Sequence, residues 1–243
     1  MPNDFFQFKQ FKVVQKALGM KVTTDACVFG ALLADVLPAH PIKVLDIGAG
    51  TGLLSLMVAQ LHSSARITAV EIDEEASLQA QENCHQSPWA DRISVVHQAI
   101  QDFHKTAQQS YDLIVANPPF YTSHHQSQNS KKALAHHTNS LSQHDLAQAV
   151  ESLLTADGLF TVLLPAFESA QLQDLLESHA IVLRKSVRIY NREGDDRIFR
   201  IINSYSRVEG VEQEERFDIR TAENDYSPDF VRYLFPFYLH LIM

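Results

Sequence analysis

Cysteine is scarce in this chain: 243 residues hold two, Cys27 and Cys84. They lack C-x-x-C spacing and each falls inside an apolar helical pattern. That excludes a disulfide framework and argues against a cysteine-built zinc site, and a reducing cytoplasm is expected. Long apolar runs are missing too. The longest, LLSLMVAQL at residues 53–61, is under half of the roughly 20 residues a membrane-spanning helix needs. The opening MPNDFFQFKQFK has no uninterrupted apolar stretch and no small-residue cleavage site, so no signal peptide is expected. Neither internal repeats, low-complexity tracts nor Pro/Gly-rich linkers occur. Basic residues are the scarcer charge, 20 Lys and Arg against 29 Asp and Glu, for a net charge of −9. Taken whole, that balance points away from nucleic acid, whose phosphates call for Lys and Arg. What is present, 45% hydrophobic and 20% charged residues, describes an ordinary globule built on one full-sized core.

Net charge conceals segregation. Residues 1–21 carry Lys9, Lys12, Lys16 and Lys21 against Asp4 alone, and residues 113–144 hold Lys131, Lys132 and five histidines with no acid. Residues 181–207 hold seven Lys or Arg against three acids. The acids gather in 71–112 and 209–229, eight against two bases in each. Basic segments on an acidic body suit either a solvated surface or a local polyanion-binding rim.

Apolar spacing of three and four over TDACVFGALLADVL (24–37) predicts a helix. Next come a strand IKVLDIG, a helix TGLLSLMVAQLH, a strand ARITAVEID and a helix EEASLQAQENCHQ, whose first-turn acids suit the helix dipole. DRISVVHQ, YDLIVANPPF and GLFTVLLPA read as further strands, with SQHDLAQAVESLL and ESAQLQDLLESH as helices. Near-continuous apolar strands alternating with helices predict an α/β fold, a mostly parallel sheet covered on both faces. IVLRKSVRIY and RIFRIINSYSR, joined by NREGDD, predict an antiparallel hairpin at one edge. RFDIR and SPDFVRYLFPFYLHLIM are expected to end the chain as a strand and a docking helix, with Pro236 interrupting the latter.

Two motifs carry chemistry. In VLDIGAGTG (44–52), Gly48, Gly50 and Gly52 separate a strand from a helix, where glycines let the backbone turn and approach a ligand. The G-x-G-x-G spacing differs from the G-x-G-x-x-G of dinucleotide folds. The next strand ends in Glu71, about 20 residues on, where an acid accepts from both hydroxyls of an unphosphorylated ribose. The strand–turn–helix–strand–Glu context resembles the class I S-adenosylmethionine-dependent methyltransferases. The second motif is Asn117-Pro118-Pro119-Phe120, directly after the strand YDLIVA. A purine exocyclic amine is a poor nucleophile, because its lone pair is delocalised. The Asn117 side-chain oxygen and the Pro118 carbonyl can accept its two hydrogens, and Phe120 offers a face for the base. The motif resembles the NPP[FY] of methyltransferases acting on adenine N6, guanine N2 or glutamine amide.

FQFKQF (6–11), MKVTTDACVFGALL (20–33), QSPWADRI (86–93), NPPF and DYSPDFVRYLFPFYL together resemble the tRNA1(Val) adenine-N6 methyltransferase family over essentially the whole chain. The resemblance implies a Rossmann-like fold with a seven-stranded sheet, organised as an N-terminal arm (1–23) and one methyltransferase domain (24–243). It implies S-adenosyl-L-methionine as cofactor and an adenosine beside the anticodon of tRNA as substrate, in the cytoplasm. The cofactor residues it implies are Lys21, Thr24, Asp25, Asp46, Gly48, Gly50, Gly52, Glu71, Ile72, Ala99, Ile100 and Asn117; the catalytic ones are Asn117, Pro118, Pro119 and Phe120. Asp25 equally suits a helix first turn. One position departs from the family: Gln98-Ala99-Ile100 stands where an acid usually accepts from the cofactor's adenine. Backbone groups with Ile100, or Asp102, are left to hold it. Phe120 replaces a common Tyr.

Other expectations follow. His124-His125 and His136-His137 have no Cys or acid beside them, so an RNA-facing polar loop is preferred to a metal site. At least two of Phe5, Phe6, Phe8 and Phe11 should pack inward. The N-terminal lysines should cover the C-terminal edge of the sheet, where the catalytic loop also lies. No membrane and no metal are expected as partners, and a monomer is favoured. The rival activities are methylation of rRNA guanine N2 or of a protein glutamine, and a non-catalytic RNA-binding module on the same fold.

Overall fold

The computed structural model describes residues 4–16, 21–119 and 141–242. The chain opens with a short antiparallel hairpin, β1 (Phe5–Gln7) and β2 (Lys12–Val14), followed by helix α1 (Thr24–Leu32). Strands and helices then alternate: β3 (Lys43–Ile47), α2 (Leu53–Leu61), β4 (Arg66–Glu71), α3 (Glu74–His85), β5 (Ile93–His97), α4 (Ile100–Thr106) and β6 (Tyr111–Ala116). After them come α5 (Gln143–Leu153), β7 (Leu154–Leu164), α6 (Ala166–Ser178), β8 (Val182–Tyr190), β9 (Arg200–Ser206), β10 (Gln213–Asp218) and α7 (Pro228–Leu234).

The main sheet runs β10-β8-β9-β7-β6-β3-β4-β5. β3, β4, β5, β6 and β7 are parallel, and β9 lies antiparallel between β7 and β8. The α/β class and the β8–β9 hairpin are therefore as expected. The sheet has eight strands rather than seven, because RFDIR contributes to β10, which pairs parallel with β8 and takes the edge from the hairpin. Cross-strand charge holds that edge: Lys185 meets Glu215 at 2.9 Å and Arg188 meets Glu214.

The strands read as continuous apolar runs because successive side chains serve opposite cores. Val44, Leu113 and Val115 enter one core with α1, α2 and α7, while Leu45, Ile47, Ile114 and Ala116 enter the other with α5 and α6. Burying each such side chain is worth roughly 1.5–3 kcal/mol, so both faces pin the register. The N-terminal hairpin joins the first core through Phe8, Phe11 and Val13. Phe8 stacks on Phe11 at 4.4 Å, while Phe5 stays exposed. Among the described residues no helix is long and apolar enough to cross a membrane.

Candidate active site

Strand order reverses between β3 and β6, whose neighbours β4 and β7 lie outward on opposite sides, and this opens a crevice at the carboxyl edge of the sheet. The two sequence motifs flank it. Ile47 pairs with Ala116, so Gly48 and Asn117 leave adjacent strands side by side, about 5 Å apart by strand spacing.

The glycine turn is built from backbone geometry that side chains resist. Gly48, Gly50 and Gly52 have φ of 71°, 55° and 78°. A Cβ at Gly48 or Gly50 would strain the backbone without meeting any atom within 4 Å, so the turn presents bare backbone to open space. Gly52 has a different reason: a Cβ there would lie 3.2 Å from Cys84 Sγ, so its absence lets α2 start against α3. Gly48 and Ala49 donate to the Val70 carbonyl at 2.9 and 3.1 Å. Glu71 Oε2 accepts from Gly50 N at 2.7 Å, and Oε1 from Asp73 N at 2.9 Å. Each carboxylate oxygen retains a lone pair for a further donor.

Asp46 stands behind the turn. Its Oδ2 accepts from the Ser55 backbone N–H and hydroxyl at 3.1 and 2.7 Å, tying β3 to the start of α2. Burial, with Glu71 nearby, pushes its pKa up to about 6 against the pull of Ser55. The neighbouring cleft is walled by Gly48, Val70, Ile72, Gln98 and Ile100. Ile72 is 38% exposed there, an apolar surface suited to a planar base. Ala99 caps α4 with no side-chain bond, and its carbonyl accepts from Asp102 N at 3.0 Å. Ile100 lines this cleft and Asp102 does not. The Asp102 carboxylate pairs with Lys105 at 3.3 Å.

Asn117 is half-buried and Pro118 buried, while Pro119 is exposed. Phe120 and both histidine pairs lie outside the described residues, as do Lys131 and Lys132. Among the described residues no group of His, Cys, Asp or Glu is arranged to hold a metal. Cys27 and Cys84 are free and buried, and burial pushes both thiols up to about 12, which keeps them protonated.

Thr23 caps α1, Lys21 and Thr24 are exposed, and Asp25 Oδ1 accepts from Ala26 N at 3.2 Å. Asp25 Oδ2 pairs with Arg200 Nε of β9 at 3.2 Å, so this acid serves the helix first turn and an ion pair together. Thr24 and Asp25 line a separate cavity with the β8–β9 and β10–α7 loops.

Lys9 departs from expectation. Its ammonium lies 3.6 Å from the centre of the Phe235 ring and donates to the Phe235 carbonyl. Gln60, in the last turn of α2, donates to the next carbonyl, Pro236. Lys9 thus sits by the end of α2 remote from the glycine turn, because Phe8 and Phe11 pull the hairpin tip into the core.

Asn83 and Ser55 escaped notice in the sequence. The buried Asn83 side chain accepts from Val14 N and donates to the Val14 and Thr51 carbonyls, each at 2.9 Å, so one amide clips hairpin and glycine turn to α3. No local pattern marks it; an Asn inside an amphipathic helix is ordinary until the fold brings two backbones to it.

A family model of the methyltransferase small domain matches residues 20–179. Relatives named tRNA1(Val) (adenine(37)-N6)-methyltransferase include one from Dyadobacter fermentans, 45% identical over 207 residues, covering 85% of this chain and 84% of that one. Another, from Cytophaga hutchinsonii, is 37% identical over 243 residues, covering 99% and 100%. A third, from Photorhabdus laumondii, is 38% identical, covering 98% and 96%. Among solved structures, a predicted O-methyltransferase of Agrobacterium tumefaciens superposes with a TM-score of 0.64 at 16% identity, covering 83% of this chain and 92% of that one. A ribosomal protein L11 methylase of Lactobacillus delbrueckii gives 0.56 at 17% identity, covering 78% and 81%. These structural likenesses concern the fold.

Proposed function

Since this chain belongs to the tRNA1(Val) (adenine-N6) methyltransferase family, within the methyltransferase small domain group, we propose that its β3–β6 crevice methylates N6 of adenine 37, beside the anticodon of a valine tRNA, in the cytoplasm. The observation that carries this reading is the side-by-side exit of Gly48 and Asn117 from paired strands, which brings the glycine turn beside the N-P-P segment.

The crevice fits S-adenosyl-L-methionine. Bare backbone at Gly48 and Gly50 gives a ligand close access, the lone pairs left on Glu71 suit ribose hydroxyls, and Ile72 with Ile100 suits an adenine. When bound, the cofactor supplies a methyl group on a positively charged sulfur. Asn117 Oδ1 and the Pro118 carbonyl accept the two N6 hydrogens of the target adenine and turn the nitrogen lone pair toward that methyl. The same acceptors favour the positive charge that grows on N6 before a proton departs. The Pro118–Pro119 pair fixes the backbone, so this geometry is set before substrate arrives. A loop adenosine is already single-stranded, which makes its extrusion into such a pocket inexpensive.

Incubation of unmodified tRNA with labelled cofactor, followed by nucleoside mass spectrometry, is expected to yield N6-methyladenosine. N2-methylguanosine, or label in protein glutamine, would transfer the assignment to a rival amino group. Binding of RNA without methyl transfer would mark a non-catalytic module. Asn117→Ala is expected to lower kcat by about 100-fold or more. Full activity in that variant would remove the amine-acceptor mechanism.

A further inference from the structure

A second cavity, of about 540 Å³, opens along the same sheet edge where α1 meets the β8–β9 and β10–α7 loops. Thr24, Asn191, Arg192, Arg200, Arg220 and Tyr226 line it. That volume lies within the usual range for small-molecule sites. β9 is two strands from β6 and β8 is three, so strand spacing puts Arg200 about 10 Å and Arg192 about 14 Å along the edge from Asn117.

The cavity's chemistry is layered. Tyr226 stacks on Phe230 at 4.3 Å with the rings 9° from parallel. The Arg220 guanidinium lies over the Tyr226 ring, 4.7 Å from its centre. Arg220 Nη1 donates to the Asn224 carbonyl at 2.7 Å, so the plane of the outermost layer is held. Guanidinium planes accept stacked bases. The charges are arranged as well. Of the two carboxylates in the cavity, Asp25 is engaged by Arg200, and Asp195 accepts from the Arg192 backbone N–H at 3.1 Å. Among the described residues the guanidinium groups of Arg192 and Arg220 have no carboxylate partner, in a chain whose net charge is −9. The loops carrying them are joined, since Glu193 N donates to the Arg220 carbonyl at 2.8 Å, and Arg216 Nη2 holds the Asp195 carbonyl at 3.1 Å.

We propose that this cavity seats a nucleotide flanking the target adenosine in the single-stranded RNA loop. Its base continues the Phe230–Tyr226–Arg220 stack and its phosphate lies on Arg192, with Thr24 and Asn191 at the base edge. The inference rests on RNA being the substrate, and it adds a specificity subsite a few nucleotides' reach from the catalytic loop.

The test uses the full-length protein and a fluorescently labelled anticodon stem-loop RNA, read by anisotropy. Arg192→Glu and Arg220→Ala are each expected to weaken binding about tenfold while leaving the affinity for cofactor and the thermal midpoint unchanged. Single abasic substitutions within three positions of the target should identify one that costs wild type about tenfold and Arg220→Ala almost nothing. That non-additivity is what a stacked base gives and a diffuse charge effect does not. Arg192 is exposed, so its variant reports the phosphate contact even where Arg220→Ala loosens its loop. Binding by both variants within twofold of wild type, abasic losses equal in wild type and Arg220→Ala, or no saturable binding by wild type would each overturn the proposal. Methyl transfer by wild type is measured alongside. Its absence would refute the functional reading, while the cavity is judged on binding alone.

Discussion

Asp46 is a buried carboxylate with Oδ2 bonded to Ser55 and Oδ1 meeting no hydrogen-bond donor among the described residues. Raised from 3.8 to about 6, it keeps its proton in the native state at pH values where the unfolded chain has lost it. Native stability from this group therefore falls as pH rises through 4 to 6, by up to about 3 kcal/mol once the native carboxylate is charged. Asp46→Asn removes that ionisation. Its stability relative to wild type, measured by urea unfolding, should improve between pH 4 and pH 7 and then level. A difference independent of pH would show that Asp46 ionises as freely in the fold as outside it. Glu71 is the proposed ribose acceptor. Glu71→Gln replaces one acceptor oxygen by an amide donor; it should raise the cofactor Kd about tenfold in calorimetry and cost about 1–3 kcal/mol of stability, because the N–H of Gly50 or Asp73 loses its acceptor.

Within elements, helix α3 performs two tasks that its sequence shows unequally. Its acidic first turn and the Asp73 cap, which accepts from Ala76 N at 2.8 Å, are visible in EIDEEASLQ. Its hold on the hairpin and the glycine turn through Asn83 is not. Asn83→Ala would leave the buried Thr51 carbonyl and the partly buried Val14 N–H and carbonyl each with a bond missing, at a cost of about 2 kcal/mol. Because Thr51 belongs to the glycine turn proposed to hold the cofactor, the cofactor Kd should rise along with the loss of thermal stability. Loss of stability with an unchanged Kd would confine Asn83 to the hairpin. The hairpin itself stands on Phe8, which is fully buried; Phe8→Ala should cost about 3–5 kcal/mol in chemical denaturation.

Over the whole molecule, acidic and basic segments that are far apart in sequence meet and partly cancel. Glu214 and Glu215 of the acidic 209–229 segment neutralise Arg188 and Lys185 of the basic 181–207 segment, and Asp35 adds to Lys185 at 3.6 Å. Cancellation is concentrated on the body of β8. The carboxyl edge keeps Arg192 and Arg220, beside the crevice, and Lys9 is spent on Phe235. A small RNA footprint follows. The dependence of log Kd on log salt should correspond to a few phosphate contacts, with Arg192→Glu lowering that slope by about one and Lys9→Glu leaving it unchanged. A larger slope change from Lys9→Glu would place the RNA over the N-terminal hairpin instead.

Local chemistry determined much of this protein. Left-handed turns need glycine at Gly48, Gly50 and Gly52, two-faced burial makes parallel strands read as unbroken apolar runs, and a Pro pair can be rigid only where it stands in the chain. From these the α/β class was legible, as was the left-handed glycine turn between β3 and α2. Which strands lie side by side was not. The pairing of Ile47 with Ala116, the eighth strand at the sheet edge, the Asp25–Arg200 pair and the turning of Lys9 onto Phe235 all join residues distant in sequence. Such contacts depend on how two cores pack against one twisted sheet, and periodicity within a segment carries no record of its partner. Tertiary structure therefore decided which charges cancel and which remain beside the crevice.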